Sequence, residues 1–204
     1  MALTLTRRQT LAAALAAAAL PRSALAQQTR AIAEMTMGDP KAPVTLVEYA
    51  MFTCPHCAAF NKDVFPKIKA DYIDTGKVKL VFREVYFNKP SLWAAMSARC
   101  APADRYFGIA DVLFSTQASW LGKGDEEPML QALYGIGRQA GMTDAQMDAC
   151  MRDESLAEGL VAEYQKNAKA DGIDATPTFL INGEKVDNLP WDEFKTKLDA
   201  ALGA

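Results

Sequence analysis

The amino-acid sequence predicts an α/β fold in the order βαβ, a helical block, then ββα. Three observations predict it. A β-branched, apolar run from Val44 to Tyr49 is followed almost at once by a segment of helical period. The stretch from about Ser91 to Ala170 carries only helical patterns. Near the end, Asn182-Gly183 stands between two short strand-like runs, the strongest local hairpin signal.

Taken in order, Val44-Thr45-Leu46-Val47-Glu48-Tyr49 is apolar or β-branched on both alternating faces, as a central strand buried on both sides should be. Ala58, Phe60, Val64, Phe65, Ile68 and Tyr72 then recur at roughly helical spacing, with a kink expected at Pro66 and a stop at Gly76. Val78 to Val85 reads as a second strand, parallel to the first. The helical block shows Leu92-Ala94-Ala95-Ala98, Tyr106-Ile109-Val112-Leu113, Leu130-Leu133-Ile136 and a long run from Leu156 through Tyr164. Thr143-Asp144-Ala145-Gln146 matches a capping box, and Gly141 sits where the preceding helix should stop. Thr178 to Ile181 and Glu184 to Val186 form the hairpin arms. Pro190 opens a last amphipathic helix with Trp191, Phe194, Leu198 and Leu202 on one stripe.

Residues 1–26 read as an export signal, with Arg7-Arg8, an apolar stretch from Leu11 to Leu20, and the small-residue cleavage site Ala24-Leu25-Ala26. The stretch is shorter than the about 20 residues that span a bilayer, so a retained anchor is the poorer reading. The paired arginines are similar to a twin-arginine signal, although Thr10 stands where that pattern prefers an aromatic residue, and the ordinary secretory route stays open. Cleavage leaves 178 of 204 residues, enough for one sizeable core. Loss of Arg7, Arg8 and Arg22, with no acids, takes the net charge from −3 to −6. An acidic surface does not suggest nucleic acid as a partner.

Four cysteines stand at 54, 57, 100 and 150. Three pairings are possible; the two-residue gap favours Cys54 with Cys57, and by elimination Cys100 faces Cys150. In Cys54-Pro55-His56-Cys57 the first cysteine falls at a helix start, where unpaired backbone N–H groups and the positive end of the helix dipole favour a thiolate. Cys57, one turn in, is expected to be less exposed and close enough to resolve a mixed disulfide. Pro55 loses no helix hydrogen bond at that position. His56 can donate a hydrogen bond or carry positive charge beside the Cys54 sulfur, which favours the reduced form and makes the disulfide a stronger oxidant. A lone Cys-x-x-Cys is also half a zinc site or a structural bridge. Zinc needs two more ligands, while His56 is the only histidine and Cys100 and Cys150 lack ligand spacing, so no metal and no cofactor are expected.

Cys54-Pro55-His56-Cys57 after the Glu48-containing strand, an inserted helical block, and Ala175-Thr176-Pro177-Thr178-Phe179 before an Asn-Gly hairpin together resemble the thioredoxin fold. More specifically, over about residues 38 to 202, they resemble the DsbA family of bacterial periplasmic disulfide-forming oxidoreductases. An acidic active-site thiol and an oxidising poise are known properties of that family, so the direction deduced from His56 is not independent of the resemblance. The resemblance implies a thioredoxin-fold domain over 27–88 and 173–204 with an all-helical domain inserted over 89–172. It implies a cis peptide bond between Thr176 and Pro177, beside the sulfurs, where an extended substrate can pair; alone, Pro177 would read as a strand-starting turn proline. It places Glu48 beneath Cys57 as a buried acid able to exchange a proton, against the alternative of a strand-end glutamate reaching water.

Cys100 and Cys150 are read as a structural bridge, the alternative being a second redox pair that tunes the first. A subgroup from alphaproteobacteria, which this chain looks like, carries such a second pair. Met51, Phe52 and Trp120 could line a surface for unfolded substrates, although core packing is the favoured reading. The expected function is an exported, monomeric thiol:disulfide oxidoreductase of the periplasm that donates the Cys54–Cys57 disulfide to newly exported proteins. The family implies reoxidation by a quinone-linked membrane oxidase resembling DsbB. The rivals are a disulfide isomerase or reductase, and a non-redox chaperone-type binding module. Isomerases of this fold usually add a dimerisation segment, for which about 17 residues before Val44 leave no room.

Overall fold

The computed structural model describes residues 30–203. The export segment expected at 1–26 lies outside them. A five-stranded sheet carries β1 (Met35–Met37), β2 (Val44–Ala50), β3 (Val78–Glu84), β4 (Thr178–Ile181) and β5 (Glu184–Val186) in the order β1-β3-β2-β4-β5. β2 is central, as its two-sided apolar character predicts. It pairs parallel with β3 (Val44 opposite Val78, Ala50 opposite Glu84) and antiparallel with β4 (Glu48 opposite Phe179). Sequence reading did not anticipate β1. Met35-Thr36-Met37 is three residues long and gains its strand geometry from antiparallel pairing to the open edge of β3.

The segment after β2 forms α1 (Pro55–Asp63), breaks at Val64, resumes as α2 (Phe65–Ile68) and ends in a π-turn over Lys69–Ile73. Pro66 lies in the first turn of α2, so the expected kink falls just before it. Between β3 and β4 lie α3 (Lys89–Arg99), α4 (Tyr106–Ser115), α5 (Gln117–Leu121), α6 (Glu126–Gln139), α7 (Asp144–Met151) and α8 (Glu154–Asp171). The capping box of α7 is formed in both directions: Thr143 accepts from the Gln146 N–H, and the Gln146 side chain accepts from the Thr143 N–H. Asn182 and Gly183 both take positive φ, +51° and +87°, the left-handed pair that a two-residue hairpin turn requires. α9 (Trp191–Leu202) closes the chain and buries Phe194 and Leu198.

The core has no seam between sheet and helices. Ala50, Phe52, Cys57 and Phe82 pack in one cluster with Ala94, Ala98, Tyr106, Leu113, Trp120 and Leu133. On the opposite face of the sheet, Tyr49, Val85 and Leu180 pack with Ala168 of α8 and Ile173. Phe52 and Trp120 are therefore core residues, and Met51 is half-buried.

A buried ion pair ties the two parts together. Arg99, at the end of α3, donates from Nε and Nη2 to the two oxygens of Glu84 at 2.6 Å each, and the Tyr106 hydroxyl donates to the same carboxylate at 2.6 Å. Arg99 also donates to the Ala33 carbonyl at 2.9 Å, so the segment entering β1 helps to cover the pair. Gly159 lets that segment cross α8. A β-carbon at this position would stand 2.6 Å from the Arg30 carbonyl oxygen. Among the described residues, no helix is long and apolar enough to cross a membrane.

Candidate active site

The turn from β2 into α1 puts Cys54 at the N-cap, in extended geometry, with Pro55 in the first turn. The Cys54 N–H donates to the Met51 carbonyl at 2.9 Å, and its carbonyl accepts the Ala58 N–H at 3.2 Å. One turn later Cys57 is fully buried. Cys54 is 6 % exposed, so the order of exposure matches expectation while both sulfurs are more sheltered than foreseen. Both are free thiols.

Several donors converge on the Cys54 sulfur and hold its thiol down to about 5. The largest cause is the hydrogen bond from the Cys57 thiol. Burial opposes it, and the Thr176 side chain and the backbone N–H groups of Cys57 and His56 add to it. The contribution of His56 thus comes from its main chain. Its side chain is exposed, and among the described residues the imidazole makes no hydrogen bond to either sulfur. Burial pushes the Cys57 thiol far above its ordinary value, reinforced by its donation to Cys54 and by the nearby Glu48 carboxyl. Glu48 faces the core at 3 % exposure, and burial raises its carboxyl to about 8. The strand-end, water-reaching alternative for Glu48 does not hold.

The second motif reaches the first through the fold. The Thr176–Pro177 peptide bond is cis, Pro177 is buried, and the Thr176 carbonyl accepts from the Cys54 thiol at 3.4 Å. The loop that carries it is moored at its start. Asp171, the last residue of α8, accepts from the Tyr49 hydroxyl at 2.5 Å and from Arg83 at 2.8 Å, and Lys185 donates to the Gly172 carbonyl at 2.8 Å. Cys54, Cys57, Glu48, Thr176 and Pro177 therefore form one site. Cys100 and Cys150 are joined to each other, from the end of α3 to α7, beside Met96, Leu156 and Leu160.

Two polar residues of the site escaped sequence reading. Gln117, the first residue of α5, donates its side-chain amide to the carbonyls of Phe52 at 2.8 Å and Cys54 at 2.9 Å. Asn88 caps α3 by accepting from the Ser91 N–H at 2.9 Å and donates to the Thr53 hydroxyl at 3.0 Å. Asn88 before Lys89-Pro90 is a local signal of a helix start, whereas no local pattern marks Gln117. Among the described residues, no group of three or more His, Cys, Asp or Glu side chains is gathered to hold a metal ion.

This geometry has known counterparts. Residues 30–200 match the family model described as thioredoxin. The structure of alpha-DsbA1 from Wolbachia pipientis superposes with a TM-score of 0.77 at 29% identity, over 86% of this chain and 94% of that one. The chain belongs to the DsbA branch of the thioredoxin family. Among curated relatives, a putative protein-disulfide oxidoreductase of Rickettsia typhi is 32% identical over 170 residues, 83% of this chain. The disulfide bond formation protein D of Bacillus subtilis is 30% identical over 174 residues, 81% of this chain and 76% of its own length. This DsbA-family chain spans only 62% of the length of the Rickettsia relative. Alpha-DsbA1 has also been solved with two cysteines replaced by alanine.

Proposed function

We propose that this chain is an exported thiol:disulfide oxidoreductase that donates a Cys54–Cys57 disulfide to newly exported proteins. The observation that carries this reading is the asymmetry of the two thiols: Cys54 is held at about 5 at a helix N-cap, while Cys57 is buried and held far above its ordinary value. A disulfide between them is a good electrophile at Cys54, and Cys54 is a good leaving group.

In the forward reaction a substrate thiolate attacks the Cys54 sulfur, and the Cys54–Cys57 bond breaks with its electron pair going to Cys57. Cys57 takes up a proton, and Glu48, a carboxyl still protonated near neutrality, is positioned as its source. A second substrate thiolate then attacks the substrate sulfur of the mixed disulfide and releases Cys54 as a thiolate. The substrate is oxidised by two electrons and the Cys54–Cys57 pair is reduced by two. Thr176 and Pro177 hold the extended substrate beside the sulfurs, and His56 acts through its backbone N–H. Cys100–Cys150 is a structural bridge.

The same reading divides the chain into a thioredoxin-fold domain over 27–88 and 173–204 and a helical insertion over 89–172. It also gives a periplasmic location, with a quinone-linked membrane oxidase resembling DsbB as the reoxidising partner. The test is oxidative refolding of a reduced multi-cysteine protein by a stoichiometric amount of the oxidised chain. Recovery of substrate activity with one Cys54–Cys57 disulfide consumed per substrate disulfide formed is expected, and Cys54→Ser should abolish it. Undiminished recovery with Cys54→Ser and Cys57→Ser combined would indicate a chaperone-type module instead. No net disulfide formation in the reduced substrate, together with rearrangement of a scrambled oxidised one, would indicate an isomerase.

A further inference from the structure

Cys54 has three polar attachments along its own backbone and side chain, and each is occupied within its neighbourhood: N–H to Met51, carbonyl to Ala58, sulfur to Thr176. A fourth comes from the helical block. The Gln117 amide uses both hydrogens, one on the Cys54 carbonyl and one on the Phe52 carbonyl. We propose that Gln117 is a positioning residue for disulfide exchange, whose side chain fixes the peptide groups flanking the Cys54 sulfur and so couples the helical block to the reacting atom. This rests on the reading of Cys54 as the exchanging sulfur.

Gln117 is itself held rigidly enough to do this. It opens α5 beside Trp120, which is 2 % exposed, and the indole N–H of Trp120 donates to the Leu113 carbonyl at 2.7 Å. The Trp120 main chain donates to Thr116 at 3.1 Å. Phe114, three residues before Gln117, stacks on Phe52 with ring centroids 4.9 Å apart. One short segment therefore grips Phe52 by its ring and by its carbonyl. Pro55, three residues after Phe52, has no N–H to offer to the Phe52 carbonyl.

The chemistry follows from the carbonyl. A peptide oxygen beside the sulfur disfavours a negative charge there, and an N–H donated to that oxygen offsets the effect. Without Gln117 the Cys54 carbonyl keeps a single donor and the Phe52 carbonyl loses the donor it has from α5. Thiolate and disulfide differ in charge at the sulfur, so the loss weighs on the reduced state more than on the oxidised state.

The experiment compares the full chain with Gln117→Leu and Gln117→Glu, by thiolate absorbance against pH and by equilibrium with glutathione. Gln117→Leu is expected to raise the Cys54 titration midpoint and to make the pair less oxidising by roughly five- to tenfold, the worth of one good hydrogen bond. Gln117→Glu is nearly isosteric. Its deficit should grow as its carboxyl ionises against two carbonyl oxygens and shrink when the carboxyl is protonated, a pH profile that lost packing alone does not produce. Should Gln117→Leu fail to fold, the Gln117→Glu profile decides. A Cys54 titration and glutathione equilibrium indistinguishable from the unaltered chain, in a chain that does exchange, overturns the role of Gln117 alone. An unaltered chain that does not exchange with glutathione overturns both this inference and the proposed function.

Discussion

The Cys54 sulfur lies 3.4 Å from the carbonyl oxygen of Thr176, a residue 122 positions further along the chain. The contact exists because β4 pairs with β2 on one side of the site while α1 starts from the end of β2 on the other. It brings the two sequence motifs to one place, where a thiol, a backbone acceptor and a helix N-terminus meet.

The first prediction concerns Cys54. Its thiolate absorbance should titrate near about 5, and alkylation should modify Cys54 alone, with Cys57 protonated throughout the neutral range. A folded value below the unfolded one, about 8.5, means that the dithiol form gains stability as pH rises from about 5 to about 8.5 and loses it as pH falls through 5. The disulfide form has no such group. The stability of the reduced chain relative to the oxidised chain, read by chemical denaturation, should therefore grow with pH across that window.

Glu48 has the opposite sign. Its carboxyl is raised to about 8 by burial, so the folded state holds a proton that the unfolded state gives up near pH 4.5. Its contribution is fully present below about 4.5 and is lost as pH rises through about 8. Glu48→Gln, which stays neutral, should be more stable than the unaltered chain at pH 8 by more than it is at pH 5. The same variant should slow proton uptake at Cys57, seen as a changed pH dependence of mixed-disulfide formation; an identical profile would remove Glu48 from the reaction.

The Glu84–Arg99 pair predicts a large and asymmetric mutational effect. Both side chains are nearly inaccessible, 4 % and 8 % exposed. Arg99→Met leaves the Glu84 carboxylate buried without its partner and should cost roughly 3–5 kcal/mol in urea unfolding. Replacing both, with Glu84→Gln and Arg99→Met together, should cost less than the single change. Additive losses would contradict the coupling.

Removal of the Cys100–Cys150 bridge by Cys100→Ser and Cys150→Ser frees a loop of 50 residues. The chain-entropy model gives a loss of roughly 4 kcal/mol, measurable as a lower denaturation midpoint. As a structural bridge it should leave the glutathione equilibrium of Cys54–Cys57 unchanged. A shifted equilibrium would favour the second-redox-pair alternative.

The sequence was most legible where geometry is local. Asn182-Gly183 encodes a left-handed turn, Thr143 and Gln146 a reciprocal cap, and Val44 to Tyr49 a strand with apolar residues on both faces. Glu48 was legible only through its position on that strand, since nothing in the residue itself reports burial. β1 was hidden because three residues carry no periodicity and their partners are 43 to 47 positions away, Met37 pairing with Leu80 and Met35 with Phe82. Gln117 and Asn88 were hidden for a related reason. The work of a single amide at a turn depends on which acceptors the tertiary fold sets opposite it, two carbonyls for Gln117 and the Thr53 hydroxyl for Asn88. The Glu84–Arg99–Tyr106 cluster joins residues of a strand and two helices that only packing unites. For His56 the residue type suggested an imidazole effect, whereas the helix start makes the main-chain N–H the acting group.

The equilibrium of the Cys54–Cys57 pair against glutathione decides whether the pair acts as a disulfide donor. A sulfur held as a thiolate by a helix N-cap, Thr176 and Cys57 stabilises the dithiol, so the account predicts an oxidising pair that is largely reduced by modest glutathione. A strongly reducing pair, still disulfide-bonded under the same conditions, would contradict it.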